Sequence, residues 1–168
     1  PHLRPEILHA DLASLVLELA LWGIGDPAML EWLDPPPPAA VQQARNLLTD
    51  LQAVDPEGRI SAHGRKMAGL PLHPRLAHMV LMAASAHDRG LACDLAALLS
   101  ERDILHFSPG EGDPDIELRL SLLERFRRRR AVDAGDARLD SAACRRVLAA
   151  ARDLRQRLDI PPATAPPN

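Results

Sequence analysis

The chain contains one lysine, Lys66 in "AHGRKMAG", and it is the first place to look for nucleotide chemistry. A phosphate-cradling loop needs a glycine-rich approach and a Ser or Thr directly after the lysine, and neither is present. The chain is therefore read as having no ATP site of its own. Seven histidines include His63, His73 and His78, yet no carboxylate or cysteine stands near them at ligand spacing, so no metal site is assigned. Ser14, Ser61, Ser85, Ser100, Ser108, Ser121 and Ser141 sit at helix caps, helix faces or loops, without the strand-to-helix elbow that activates a nucleophile. Cys93 and Cys144 lie far apart among alanines and leucines and read as small buried thiols. No catalytic residue is assigned, and this stretch is not expected to be an enzyme by itself.

The arginines carry more information. Over the predicted helix 115–128, Leu118, Leu122, Phe126, Leu123, Ile116 and Leu120 fill one wide arc at 100° per residue, with Arg119 in its middle. A guanidinium placed there needs a carboxylate, because an unpaired buried charge costs several kcal/mol. Asp115, one turn earlier, and Asp94, Glu101 and Asp103 are the candidates. Arg125 and Arg127 to Arg130 make the basic run "RFRRRR", and Arg145, Arg146, Arg152 and Arg157 lie on the polar side of the last predicted helix. Such runs are commonly plain solvated faces. If this one binds nucleic acid, Arg127, Arg128, Arg130, Arg145, Arg146 and Arg152 are the residues assigned to phosphate. Base stacking is not expected, since Trp22, Trp32, Phe107 and Phe126 are the only aromatics of that kind and Trp22 and Phe126 fall on apolar faces.

These residues are spread over 168 positions, 46% hydrophobic and 26% charged, enough for a real core in one domain or two small ones. The formal net charge of −3 divides into −4 over residues 1–100, −3 over 101–114 and +4 over 115–168. A polyanion would therefore meet the last third. No stretch approaches a membrane span, and no basic segment leads into a cleavable signal, so a cytoplasmic location is expected. The start at Pro1 and the end "PPATAPPN" read as a piece of a longer protein with a trailing linker.

The elements that position these residues are mainly helical. Asp11 caps a helix through Leu12, Leu15, Val16, Leu19 and Trp22, ended by Gly23 and Gly25. Asp26-Pro27 opens a short helix, "DPAMLEWL". Pro35 to Pro38 form a stiff connector, and Pro38 can stand in the first turn of a third helix lined by Val41, Ala44, Leu47, Leu48 and Leu51. Asp55-Pro56-Glu57-Gly58 suits a type I turn between short extended pieces, 53–54 and 59–60. Three helices and a hairpin give the order of a winged helix. Ser61 opens a further short helix, Pro74 a helix stopping near Gly90, and "LACDLAALLS" a central helix buried on all sides. Asp113-Pro114 opens the Arg119 helix, and a last helix runs from about Asp140 to Leu158. The expected fold is mainly α: a winged-helix module over residues 1–70 with a leading segment 1–10, an irregular helical bundle over 71–159, and a tail over 160–168.

The run from Leu12 to Ala84, with its proline stretch, wing turn, "GRKMAGLPL" and "HPRLA", closely resembles the region after the second motor domain of DEAH-box helicases. "LAALLSERDIL" and "DIELRLSLL" are similar to the bacterial HrpB type in particular. The resemblance implies a winged helix followed by a helicase-associated, or ratchet, domain that packs on the motor domains of the same parent chain and helps to line a channel for single-stranded RNA or DNA. It also implies that ATP and Mg belong to those motor domains and that the parent hydrolyses ATP. Where the family usually reads "DPRLAK", this chain has His73 and His78, replacing a capping carboxylate and one possible phosphate contact. The competing readings are a helical protein-interaction scaffold without nucleic-acid contact and a winged-helix DNA-binding regulator. Titration calorimetry of this chain with Mg-ATP is expected to give no binding heat; a micromolar Kd would overturn the reading of Lys66.

Overall fold

The computed structural model describes residues 10–107, 114–128 and 138–160. It is mainly helical and divides into two compact units, Pro1–Leu81 and Met82–Asn168. Among the described residues, no helix is long and apolar enough to cross a membrane.

The first unit is a winged helix. Helix α1 (Ala13–Leu21) begins where Asp11 Oδ1 accepts the Ala13 N–H at 2.8 Å. It buries Ala13, Val16, Leu17, Leu19 and Ala20, the stripe its period dictates. Gly23, at φ +85°, ends it: its N–H reaches the Ala20 carbonyl and the Ile24 N–H the Leu19 carbonyl, a Schellman pair. The expected helix "DPAMLEWL" shrinks to one 3-10 turn, Pro27–Met29, capped by Asp26. Helix propagation needs more apolar contact than Met29 and Leu33 make, at 80% and 99% exposure. Trp22, placed by the period on the apolar stripe, stands just past the last helical turn and is 73% exposed.

Pro37, at φ −58° and ψ 129°, leads α2 (Pro38–Asp50), with proline in its first turn where no N–H is required. Helix α2 packs on α1 through Ala44 and the fully buried Leu48. It too ends in a Schellman pair, Gln52 to Thr49 and Ala53 to Leu48, with the non-glycine Gln52 forced to φ 56°. The wing contracts to one antiparallel bridge, Val54 to Ile60, closed by the Gly58 N–H on the Asp55 carbonyl at 2.9 Å and braced by the Arg59–Asp55 ion pair at 2.7 Å. Helix α3 (Ala62–Ala68) starts at Ser61, whose Oγ accepts the Gly64 N–H, and α4 (Pro74–Met82) follows.

The second unit departs from expectation at its start. The helix opened by Pro74 stops at Met82, and α5 (Ala86–Ser100) begins anew with a capping box between Ser85 and Asp88. Gly90, expected to end a helix, lies inside α5. Nor is α5 buried all round: Leu91 and Leu99 are exposed while Ala92, Cys93, Asp94, Ala96, Ala97 and Leu98 are buried. Strand β1 (Leu105–His106) pairs antiparallel with β2 (Arg138–Leu139), an element the sequence did not announce. Asp115 caps α6 (Ile116–Arg127) through the Glu117 N–H; Asp113 lies outside the described residues. Asp140 caps α7 (Ser141–Arg157), which packs on both α5 and α6.

Gly64 shows how tightly the first unit is closed. A Cβ there would stand 2.1 Å from the Ala53 carbonyl oxygen and 2.9 Å from Ile60 Cγ1. The backbone of α3 lies directly on the wing. Gly64→Ala is expected to destabilise by about 3 kcal/mol or more, at the upper end of overpacking costs; an unchanged urea midpoint would show that the wing yields.

Candidate nucleic-acid interface

The arginines of the second unit separate into those inside the helix packing and those outside it. At the centre is Asp94 on α5, 8% exposed. Its Oδ1 accepts from Arg127 of α6 at 2.8 Å and its Oδ2 from Arg155 of α7 at 2.7 Å, so one carboxylate ties three helices together. Arg155, 9% exposed, also donates to the Gly90 carbonyl at 2.8 Å, and its Nε has no protein partner among the described residues. Glu124 takes the other end of Arg127 at 2.7 Å and Arg128 Nε at 2.6 Å. Arg127 is therefore part of the packing rather than of an open surface, and Arg128, with 35% of its side chain exposed, leans on the same network.

Arg119 meets Asp103, with Nε to Oδ1 at 3.0 Å and Nη2 to Oδ2 at 2.6 Å, a bidentate pair. Its Nη1 donates to the Asp115 carbonyl at 2.8 Å, and its guanidinium lies 5.8 Å from the centre of the Phe107 ring. Asp115 thus contributes its backbone to Arg119 and its side chain to the helix cap. Of the remaining candidates, Asp94 faces Arg127 and Arg155 instead and Glu101 lies 3.9 Å from Arg146. The hydrogen bonds from Arg119 hold the Asp103 carboxyl below its ordinary pKa of 3.8 against a smaller effect of burial. The pair's contribution is thus complete above that value and is lost as pH falls through the lowered one.

Arg145, Arg146 and Arg152 stand on the exposed side of α7, Arg145 and Arg152 two turns apart on one line. Arg146 has Glu101 at 3.9 Å with half its side chain open, and Arg157 pairs with Asp153 at 2.7 Å. Arg130 lies outside the described residues. Of the assigned phosphate contacts, Arg145, Arg146 and Arg152 are the three that can approach a phosphate without disturbing a core pair. Arg155 escaped the sequence reading, although Val147, Ala151 and Arg155 follow one another at helical spacing and the logic applied to Arg119 would have found it. On the open side of α2, Arg45 donates to the Gly25 carbonyl and lies 3.4 Å from Asp26, whereas Arg65, Lys66 and Arg75 of the same unit are exposed.

Residues 44–72 match the model of the helicase associated domain (HA2), winged-helix. The ATP-dependent RNA helicase HrpB of Escherichia coli (strain K12) is 45% identical over 98 residues, 58% of this chain and 12% of that protein. The probable ATP-dependent RNA helicase DHR2 of Saccharomyces cerevisiae is 35% identical over 120 residues, 71% of this chain and 16% of that protein. Two crystal structures of E. coli HrpB, described as a DExH-box NTPase and a DEAH/RHA helicase, superpose with TM-scores of 0.70 and 0.71 at 33% identity, covering 96% of this chain and 17% of theirs. The chain thus spans between 12% and 17% of the length of these relatives.

Removing Asp94 strands two arginines, whereas removing Arg119 leaves Asp103 with 44% of its side chain in water. Asp94→Ala is expected to cost about 3–5 kcal/mol and Arg119→Ala clearly less, read as urea midpoints on the same chain. The reverse order would mean that the Asp94 network is not what ties α5, α6 and α7.

Proposed function

We propose, from a chain that is a winged-helix and helicase-associated segment of the HrpB type of DEAH-box helicase, that it serves as the non-motor accessory region of an RNA helicase. It packs on the motor domains of its parent and presents α7 to the backbone of a single strand. The observation that carries this reading is the match of nearly the whole chain, 96%, to the fold of HrpB. On this reading ATP and Mg act in the motor domains of the parent. The strand would pass this region without being cut or modified by it.

Two features of the surface support the assignment. Trp22, Met29 and Leu33, within twelve residues of the first unit, expose large apolar side chains at 73%, 80% and 99%, which suits cover from the parent's remainder. On the second unit, Arg145, Arg146 and Arg152 offer charge without aromatic platforms beside them on α7, which suits phosphate contact and little base preference. Groove reading by α2 is disfavoured, because Arg45 is turned toward Gly25 and Asp26.

Three phosphate contacts on a single strand give a slope of log K against log salt of about −2, at about −0.7 per contact. Fluorescence anisotropy with a short single-stranded RNA is expected to show weak, salt-sensitive binding with that slope. Arg145→Glu/Arg152→Glu should abolish it and Arg45→Glu leave it unchanged. Loss of binding in Arg45→Glu alone would return the winged helix to the role of reader.

A further inference from the structure

His63 on α3 and His78 on α4 face one another with Nε2 to Nδ1 at 2.9 Å, ring centres 5.0 Å apart and planes at 88°. A contact of that length between two imidazoles is a hydrogen bond, and it requires one ring to present an N–H and the other a lone pair. The neutral pair satisfies this with matched tautomers. A pair carrying one extra proton still satisfies it. With both rings protonated, two N–H groups and two positive charges would oppose one another at the same distance.

The surroundings do not relieve that repulsion. The further charge felt by His63 is the Lys66 cation, one turn along α3, and no carboxylate among the described residues is bonded to either ring. Asp11 is engaged elsewhere: its Oδ2 meets His73 Nε2 at 3.2 Å. Arg75 directs its backbone N–H to His73 Nδ1, at 3.2 Å, rather than to the pair. Glu18 of α1, the helix packed on α3, is exposed.

We propose that the contact between α3 and α4 is a proton-sensitive latch, closed while at least one of His63 and His78 is neutral and opened when both are charged. His73 at the start of α4 differs from this pair in a telling way. A proton on its Nδ1 would remove the bond to the Arg75 N–H but strengthen the pair with Asp11, so gain and loss oppose each other. His63 and His78 have no such compensation, and the sensitivity lies with them.

Burial first, then His78 and Lys66, hold the His63 ring below its ordinary pKa of 6.5. The unfolded chain then binds more protons than the folded one over the interval beneath that value, so stability rises with pH there. The latch is complete above the ordinary histidine value and is lost as pH falls through the lowered one. Acidification would loosen α4, the last helix of the winged-helix unit, by a repulsion that the second unit's His106, bonded to Asp140 at 3.2 Å, does not share.

Hydrogen exchange of the intact chain, corrected for intrinsic rates, tests this at about pH 7.5 and about pH 4.5, above and well below the free histidine value. Residues 62–82 should lose protection several-fold at the lower pH relative to residues 141–157. His63→Gln and His78→Gln should each abolish that difference, because an amide can complete the hydrogen bond and takes no proton. Equal protection at both pH values, or an undiminished pH effect in both variants, overturns the latch. If a variant does not fold, proton NMR titration of the wild-type imidazoles decides: a His63 ring titrating at or above the free histidine value overturns it, and one titrating below supports it.

Discussion

The second unit depends on the Asp94 carboxylate. Its helices meet through small residues: α5 offers Ala92, Cys93, Ala96 and Ala97, and α7 offers Ala143, Cys144, Val147 and Ala151. Small side chains allow close approach but provide little relief by which one register of two helices is distinguished from the next. A carboxylate that must meet Arg127 and Arg155 at 2.8 and 2.7 Å removes that freedom, since a shift of one turn leaves three charges buried without partners. The apolar contacts drive α5, α6 and α7 together, and Asp94 selects the alignment. Burial of both thiols in this interface raises the pKa of Cys93 and of Cys144, which suits packing rather than reactivity.

The first unit reaches its specificity through the backbone instead. Schellman endings at Gly23 and Gln52 fix the direction in which the chain leaves α1 and α2. Pro37 fixes the direction in which it enters α2. The wing needs no long hairpin because Ser61 gathers it in: its N–H donates to the Ala53 carbonyl at 2.9 Å and its hydroxyl to the Gln52 carbonyl at 2.6 Å. The same hydroxyl accepts the Gly64 N–H, so one serine joins the wing to α3. Few large side chains are then required, and Leu48, Met67 and Val80 stand at the fully buried centre.

What could be read in the sequence follows from range. Caps and periods are local, so Asp11, Ser61 and Asp140 mark where their helices begin, Asp26 marks the start of a turn but not its length, and the apolar spacing locates α1, α2, α6 and α7. The break between α4 and α5 is less legible. Ala83 and Ala84 favour helix, and the chain turns there because Ser85 and Asp88 form a capping box stronger than that propensity. Strands of two residues, as at 105–106 and 138–139, show no alternation to detect. The arginine partners are tertiary facts: a period places Arg119 on an apolar arc, but the choice between Asp94 and Asp103 is made by which helices lie beside α6.

The charge asymmetry along the chain takes a different meaning once those partners are known. A tail of +4 beside a segment of −3 suggests a basic face offered to a polyanion. Yet several tail arginines meet acids of the 94–103 stretch: Asp94 for Arg127 and Arg155, Asp103 for Arg119, and Glu101 near Arg146. Much of the asymmetry is therefore complementarity within the unit, written as acid early and base late because α5 precedes the helices it binds. A net charge summed over sequence overstates the surface field wherever opposite charges are segregated along the chain and paired in space. The positive potential that reaches solvent is narrower than the count implies; on α7 it comes from Arg145 and Arg152, which stand in line without a close carboxylate among the described residues.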